Sequence, residues 1–364
     1  MRLSQAMKGL LDKEWRHSRG YLLATLLFII FAPVIKTSFY LFQGTAQMEL
    51  WGQELHYALQ FGTGLRRPET YSGLLQWLPL TGAVLLGIII LGEEQRGSLR
   101  YLASMPVSRR QIILAKFFSG AAAILLAMLI NGLFLIALDC LYPMPYNGIN
   151  VLNWVLLVSA LCLGYFTMAL MVSTFTTGVL AAGAVVYLLN FLPGMVAAMI
   201  EGIAARYFAV AESISINILK LGSYLDLFDY VTRSERNITS VDHFSNWLIT
   251  GTTANSGIGP DYLLESLILL AGVLLFLVLA VIIFERISLQ TGGSIFVTST
   301  ARKLGMGIAV LCISYWLVFP RAETLLIFIV YYLVLTVFIY TGTEYLYRSL
   351  HQGWQLPGRK RLVR

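Results

Sequence analysis

The sequence predicts an all-α polytopic membrane protein with about eight transmembrane helices. Of its 364 residues, 57% are hydrophobic and 12% are charged, whereas soluble domains have roughly 45–50% apolar and about 25% charged residues. A water-soluble globule needs more charge than this to cover its surface, so that class is excluded. Apolar runs of about 20 residues, the length that crosses a hydrocarbon layer of about 30 Å, recur along the whole chain.

Eight stretches meet this length requirement. They lie at approximately 20–41, 72–92, 117–141, 152–175, 178–200, 262–284, 304–320 and 324–347. Backbone amides in lipid must be hydrogen-bonded within their own segment, so each stretch is expected to be a helix. The seventh stretch is the shortest of the eight.

The positions of lysine and arginine predict the orientation of these spans. With both termini in the cytoplasm, 18 of the 26 Lys and Arg residues lie in cytoplasmic segments, 7 lie in outer segments and Lys36 lies within the first span. Cytoplasmic loops carry the excess of these residues in membrane proteins. The cations flank apolar runs and do not form a basic face, so no nucleic-acid partner is expected.

Four segments outside the spans complete the predicted layout. Residues 1–19 place apolar side chains along one stripe, which predicts an amphipathic helix in the cytoplasmic interface. The outer segment 201–261 begins with a second such stripe, which indicates a helix that lies on or dips into the outer leaflet. Residues 285–303 are expected to form a cytoplasmic loop, and 348–364 a basic cytoplasmic tail.

The cytoplasmic segment 93–116, between spans two and three, has an unusual order of residue types. Two carboxylates end the second span, a Gly-Ser pair breaks the chain, and a short amphipathic turn follows. Met105-Pro106 breaks that turn, and Ser108 can cap a new helix carrying Arg109 and Arg110. This order is compatible with a short crosswise helix that fits another protein's cleft. It is equally compatible with a loop that merely follows the positive-inside rule.

The same segment resembles the corresponding loop of ABC-2 type permeases, the membrane subunits of one class of ATP-binding-cassette exporters. The residues that carry the resemblance are Glu-Glu-x-Arg-Gly-Ser-Leu-x-x-Leu-x-Ser-Met-Pro-Val-Ser-Arg-Arg-x-Ile-x-x-x-Lys. The layout of residues 1–285 is also similar to that family. The resemblance implies a six-span permease core at 20–284, to which this chain adds a two-span hairpin at 304–347.

The resemblance further implies that this loop docks on a cytoplasmic ABC ATPase subunit and that two permease chains pair. Docking is assigned to the short helix, with residues Leu99, Arg100, Tyr101 and Leu102. Hinge or capping roles fall to Glu94, Gly97, Pro106 and Ser108, and Ser98 is also counted in the coupling segment. Arg109 is expected to pair with Glu93 or Glu94 across the loop.

The sequence contains few patterns that indicate catalysis or the binding of a nucleotide, cofactor or metal. No Gly-Lys dipeptide occurs, although a phosphate-binding loop of the Walker type requires one, so ATP and Mg are expected on the partner ATPase. No catalytic residue, bound cofactor or metal ligand is predicted for this chain. Within the spans, Asn131 and Asn190 are expected to bond between helices, and Pro193 and Gly194 to interrupt the fifth span.

The predicted function is therefore that of a permease subunit of an ATP-driven exporter in a bacterial plasma membrane. Its expected partners are ABC ATPase subunits, a second permease chain and membrane lipids. The apolar spans favour a hydrophobic or amphipathic substrate, such as a lipid, peptide or drug, and the substrate path is not identified. Two alternatives stay open. One is a sensor or resistance subunit that detects an antimicrobial compound without moving it, and the other is a self-contained secondary transporter.

Overall fold

The computed structural model describes residues 2–43, 52, 74–92, 108–142, 146–176, 178–208, 210–227, 262–286 and 299–353. These residues form ten α-helices and no strand. The helices are α1 (Arg2–Ile30), α2 (Thr37–Gln43), α3 (Leu74–Gly92), α4 (Arg109–Leu141), α5 (Gly148–Phe175), α6 (Val179–Phe208), α7 (Glu212–Leu225), α8 (Tyr262–Arg286), α9 (Ser299–Val318) and α10 (Leu325–Gly353). A π-helical segment, Phe31–Lys36, joins α1 to α2.

All eight predicted spans fall on helices of this set, which confirms the all-α polytopic fold. Five helices, α4, α5, α6, α8 and α10, are long and apolar enough to cross a membrane. The bent pair α1–α2 makes a sixth span if it is counted as one. The second and seventh predicted spans correspond to shorter apolar stretches, Leu78–Leu91 within α3 and Gly305–Val318 within α9.

The chain divides into two compact units. The first comprises residues 1–201 and 211–297, and the second comprises 202–210 and 298–364. In the first unit, α5 is buried along most of its length and packs against α3, α4 and α8. Its sequence is apolar on all sides, as expected of a helix with neighbours on every face.

Glycines bring α3 and α4 close to α5. A Cβ atom at Gly87 of α3 would lie 2.6 Å from the carbonyl oxygen of Phe166. A Cβ atom at Gly120 of α4 would overlap the ring of the same Phe166. Small residues at such positions let helix backbones approach, which is the main source of packing energy between helices in lipid.

The first helix runs without a break through residue 19, the predicted end of the interfacial segment. It bends by 46° farther on, across the π-helical segment. Pro33 lies there and has no N–H to donate to the carbonyl of Ile29, four residues earlier. The side-chain amide of Asn131 on α4 donates to that carbonyl oxygen instead, at 3.0 Å. The expected interhelical role of Asn131 is therefore confirmed.

Within the first unit, α7 packs antiparallel to the part of α6 that ends at Glu201. The hydroxyl of Ser215 donates to Glu201 at 2.5 Å, and farther along the pair Gly222 lies against Ala197. The expectation that the fifth span is interrupted at Pro193 was wrong, because α6 continues through this proline to Phe208. The element that turns back is α7, which follows the end of α6.

The second unit contains α9 and α10, which pack against each other. The guanidinium of Arg302 on α9 lies 3.4 Å from the carboxylate of Glu344 on α10. At the other end of the pair, aromatic rings cluster around the turn between the two helices. They belong to Tyr207, Tyr315, Phe319, Phe328 and Tyr332.

Candidate functional site

The sequence places the candidate site in the loop between α3 and α4. Residues 93–107 lie outside the described residues. The predicted docking and hinge positions there are Glu93, Glu94, Gly97, Ser98, Leu99, Arg100, Tyr101, Leu102 and Pro106. The structure describes the two helix ends that bound the loop, together with Ser108 and Arg109. The contacts at these two ends determine what a force on the loop would move.

Ser108 is the N-cap of α4 and forms a reciprocal capping box with Gln111. The backbone N–H of Gln111 donates to Ser108 Oγ at 3.3 Å, and the backbone N–H of Ser108 donates to Gln111 Oε1 at 3.0 Å. This exchange satisfies two of the N–H groups that a helix start leaves without partners. The second end of the loop is therefore fixed at a defined residue.

A buried lysine holds the first end of the loop. Lys116 of α4 has no exposed surface, and its ammonium group donates to the carbonyl oxygen of Ile90 at 2.8 Å. Ile90 is in the last turn of α3, where carbonyl groups lack intrahelical partners and the helix dipole favours a cation. Lys116 therefore joins the end of α3 to the first turns of α4.

Two arginines join the start of α4 to the end of α8. Arg109 Nη1 donates to the carbonyl oxygens of Phe284, at 3.4 Å, and Glu285, at 3.2 Å. Arg110 forms a two-point ion pair with the Glu285 carboxylate, in which Nη2 donates to Oε2 at 3.1 Å and Nε donates to Oε1. Both contacts lie in the last turn of α8, where cations are favoured.

The contribution of the Arg110–Glu285 pair is mainly geometric. The Arg110 side chain is 67% exposed, and exposed ion pairs stabilise a fold by only about 0–1 kcal/mol. Its two parallel hydrogen bonds nevertheless fix the direction between the two groups. We call the contacts of Lys116, Arg109 and Arg110 the loop clamp, since they tie both loop ends to three helices.

The loop clamp differs in part from the sequence-based assignment. Arg109 was expected to pair with Glu93 or Glu94, and that pairing stays a prediction because both carboxylates lie outside the described residues. The described contacts of Arg109 are with α8 instead. Sequence reasoning missed Glu285, which stands 175 residues from Arg110. The sequence shows only that Glu285 is an acidic residue at the end of a span. Such a residue is usually an ordinary charge at the membrane interface.

Comparisons with known proteins identify the family of this chain. A family model described as ABC-2 family transporter protein matches residues 10–348. A curated relative, named "Probable ABC transporter permease YtrC" from Bacillus subtilis (strain 168), is 28% identical over 131 residues. The match covers 35% of this chain and 36% of the relative, so it spans about a third of that protein's length. With the family model matching most of the chain and five helices apolar enough to cross a membrane, this chain belongs to the ABC-2 family of transporter proteins and is a multi-pass membrane permease.

Proposed function

We propose that this chain is the membrane subunit of an ATP-driven exporter in a bacterial plasma membrane, with both termini in the cytoplasm. Two separate ATPase subunits bind ATP and Mg, and a second permease chain, identical or related, completes the complex. The cargo is a hydrophobic or amphipathic molecule such as a lipid, peptide or drug. Family membership supports the ATPase partner, and the loop clamp carries the mechanical part of the proposal.

The loop clamp suits a segment that transmits force. A loop tied only by its own backbone would flex when a partner pushes it. Here Lys116 joins α4 to the end of α3, and Arg109 and Arg110 join α4 to the end of α8. A displacement of the loop therefore acts on three helices together.

The three helices lead from the loop to the centre of the first unit. Each of them packs against α5, and α3 does so at backbone distance through Gly87. Protein interiors are close-packed and transmit strain over such contacts. In our proposal, closure of the ATPase subunits pushes the loop, and the coordinated shift of α3, α4 and α8 opens a route for cargo.

The surfaces of the membrane-spanning helices are apolar. Large apolar side chains on α4, α8 and α10 are exposed, among them Leu133, Leu274 and Phe338. Lipid or a second permease covers such surfaces in a membrane. The largely apolar spans are the basis on which we propose a hydrophobic or amphipathic cargo.

The experiment is co-purification with the ATPase expected in a neighbouring reading frame, followed by ATP hydrolysis in proteoliposomes. The test variant combines Leu99→Ala with Arg100→Glu, and the matched control is Lys303→Glu, an exposed cation on α9. We expect the test variant to insert normally but to lose association with the ATPase or its stimulation. Unchanged association and stimulation would refute the docking assignment.

A substrate assay separates export from detection. If the complex is an exporter, inside-out membrane vesicles accumulate a labelled amphipathic cargo when ATP is supplied. A sensor subunit would instead show ligand-stimulated ATP hydrolysis without accumulation. Accumulation without any ATPase subunit would favour a secondary transporter and contradict the proposal.

A further inference from the structure

Three polar side chains meet inside the first unit, where α7 ends. They are Tyr165 of α5, Asn190 of α6 and Asp226, the residue that caps the C-terminus of α7. Their exposed fractions are 6%, 5% and 3%. None of them belongs to the loop clamp, and the transport mechanism proposed above does not use them.

Asn190 and Asp226 both lie within reach of Tyr165. The Asn190 side chain hydrogen-bonds to Tyr165, and the Asp226 carboxylate acts electrostatically on the same tyrosine. Among the residues that the structure describes, none donates a hydrogen bond to Asn190 Oδ1. Gly194 makes room for the carboxylate, because a Cβ atom there would overlap Asp226 Oδ2. The buried acceptor oxygen of Asn190 therefore points to a ligand in this cluster.

The cluster lies near the middle of the bilayer. At about 1.5 Å per residue, Tyr165 stands about 15 Å from the end of α5 at Phe175, and Asn190 about 17 Å from the start of α6 at Val179. Only residues 176–178 separate those two helix ends. A hydrocarbon layer is about 30 Å thick, so both side chains lie about halfway across it. The antiparallel course of α7 along α6 places Asp226 beside Gly194, one helical turn farther along α6 than Asn190.

The electrostatics of the cluster favour a positive charge. A carboxylate is costly in the middle of a membrane and usually marks a functional site. The C-terminal end of α7 adds the negative end of its helix dipole. Tyr165 and Asn190 add further acceptor oxygens. Helix C-termini that end at mid-membrane depth hold cations in the same way in other transport proteins.

We propose that Asp226, Asn190 and Tyr165 form a binding site for a positively charged group within the membrane layer. The group is either the primary ammonium head of an amphipathic molecule or an inorganic monovalent cation. In the first case the site selects cationic cargo, a statement that rests on the proposed export function. The site itself is a property of this chain and binds without the ATPase.

The test measures equilibrium binding to the full-length permease alone, in nanodiscs of a zwitterionic lipid. The probes are n-octylammonium chloride, its neutral counterpart n-octanol, and sodium or potassium chloride against N-methyl-D-glucamine chloride. Binding is followed by titration calorimetry and by the shift in thermal unfolding. Because no ATPase is present, failure of the coupling proposal leaves this result unaffected.

We expect octylammonium, or sodium or potassium, to bind while octanol and N-methyl-D-glucamine do not. Asp226→Asn should weaken binding by about tenfold or more, since it removes a charged acceptor. Asn190→Ala should also weaken it. Asp139→Asn, which removes a partly buried carboxylate from α4, is the matched control and should bind as the wild type does.

The probe that binds tells whether the site takes an ammonium head group or an inorganic cation. Binding of octylammonium but not of sodium or potassium identifies an ammonium head, and the reverse identifies an inorganic ion. If Asp226→Asn does not fold, Asn190→Ala and Tyr165→Phe carry the test. Wild-type affinity in these variants, equal binding of octanol, or no binding by any cation would overturn the proposal.

Discussion

Substitution of Gly87 by alanine tests the close contact between α3 and α5, through which we propose that movement passes. The added Cβ would lie 2.6 Å from the carbonyl oxygen of Phe166, 2.7 Å from the Cβ of Ala169 and 3.1 Å from the nitrogen of Leu170. Carbon atoms in contact normally lie about 3.5–4.0 Å apart, so the two helices must separate by about 1 Å. Overpacking of this kind costs about 1–3 kcal/mol. We expect Gly87→Ala to lower the free energy of unfolding by that amount.

The matched control is Gly272→Ala on α8. In the described part of the chain, no atom lies within 4 Å of a Cβ built at Gly272, so alanine there meets no described neighbour. Alanine is favoured over glycine in a helix by about 1 kcal/mol, and this control should therefore be neutral or stabilising. Both variants are unfolded in the same detergent and followed by circular dichroism. Equal effects of the two substitutions, or a Gly87→Ala change within about 0.5 kcal/mol of zero, would refute the close α3–α5 contact.

The polar contacts made by α4 can be tested by substitution in the same way. Ser108→Ala should lower the free energy of unfolding by about 1 kcal/mol, whereas Ser108→Asp keeps the cap and should not; denaturant unfolding measures both. Asn131→Leu should lower the free energy of unfolding, measured by thermal unfolding, by roughly 0.6–1.7 kcal/mol. The loss should be smaller when Asn131→Leu is combined with Pro33→Ala, which restores a backbone N–H that can donate to the Ile29 carbonyl. Arg110→Glu and Glu285→Arg should each change stability by about 1 kcal/mol or less but reduce permease-stimulated ATP hydrolysis. The double charge swap should recover that hydrolysis, and failure to recover would contradict the role of the ion pair.

The sequence predicts the span positions well because lipid imposes a simple rule. A segment must be apolar over about 20 residues, and its backbone must bond internally. Both conditions are local, so all eight apolar stretches fall on helices of the structure. The start of α4 is also local, since Ser108 and Gln111 stand three residues apart and have the residue types of a capping box.

Contacts between distant segments could not be predicted in this way. Nothing near Arg110 indicates that its partner is Glu285, because the pairing depends on how α4 and α8 are placed around α5. Lys116 looked like another cytoplasmic cation. It is buried, and the Ile90 carbonyl oxygen, which has no partner within α3, accepts a hydrogen bond from its ammonium group.

The error at Pro193 has a different origin. Proline removes one backbone hydrogen bond from a helix, but membrane helices tolerate this where neighbouring groups compensate. The α6 helix therefore continues through Pro193. The turn back occurs after Phe208 instead, and Asp226 reaches Gly194 only because α7 packs antiparallel to α6. A single sequence contains no local signal for that packing.

Photocrosslinking from the loop measures the central claim most directly. A photoreactive amino acid is placed at Leu99 in the loop, and for comparison at Asn237 in the predicted outer segment, in the permease assembled with its ATPase. The account predicts a crosslink to the ATPase from Leu99 and none from Asn237. Labelling of Leu99→Cys by a membrane-impermeant thiol reagent added outside the cell, or a crosslink to the ATPase only from Asn237, would contradict it.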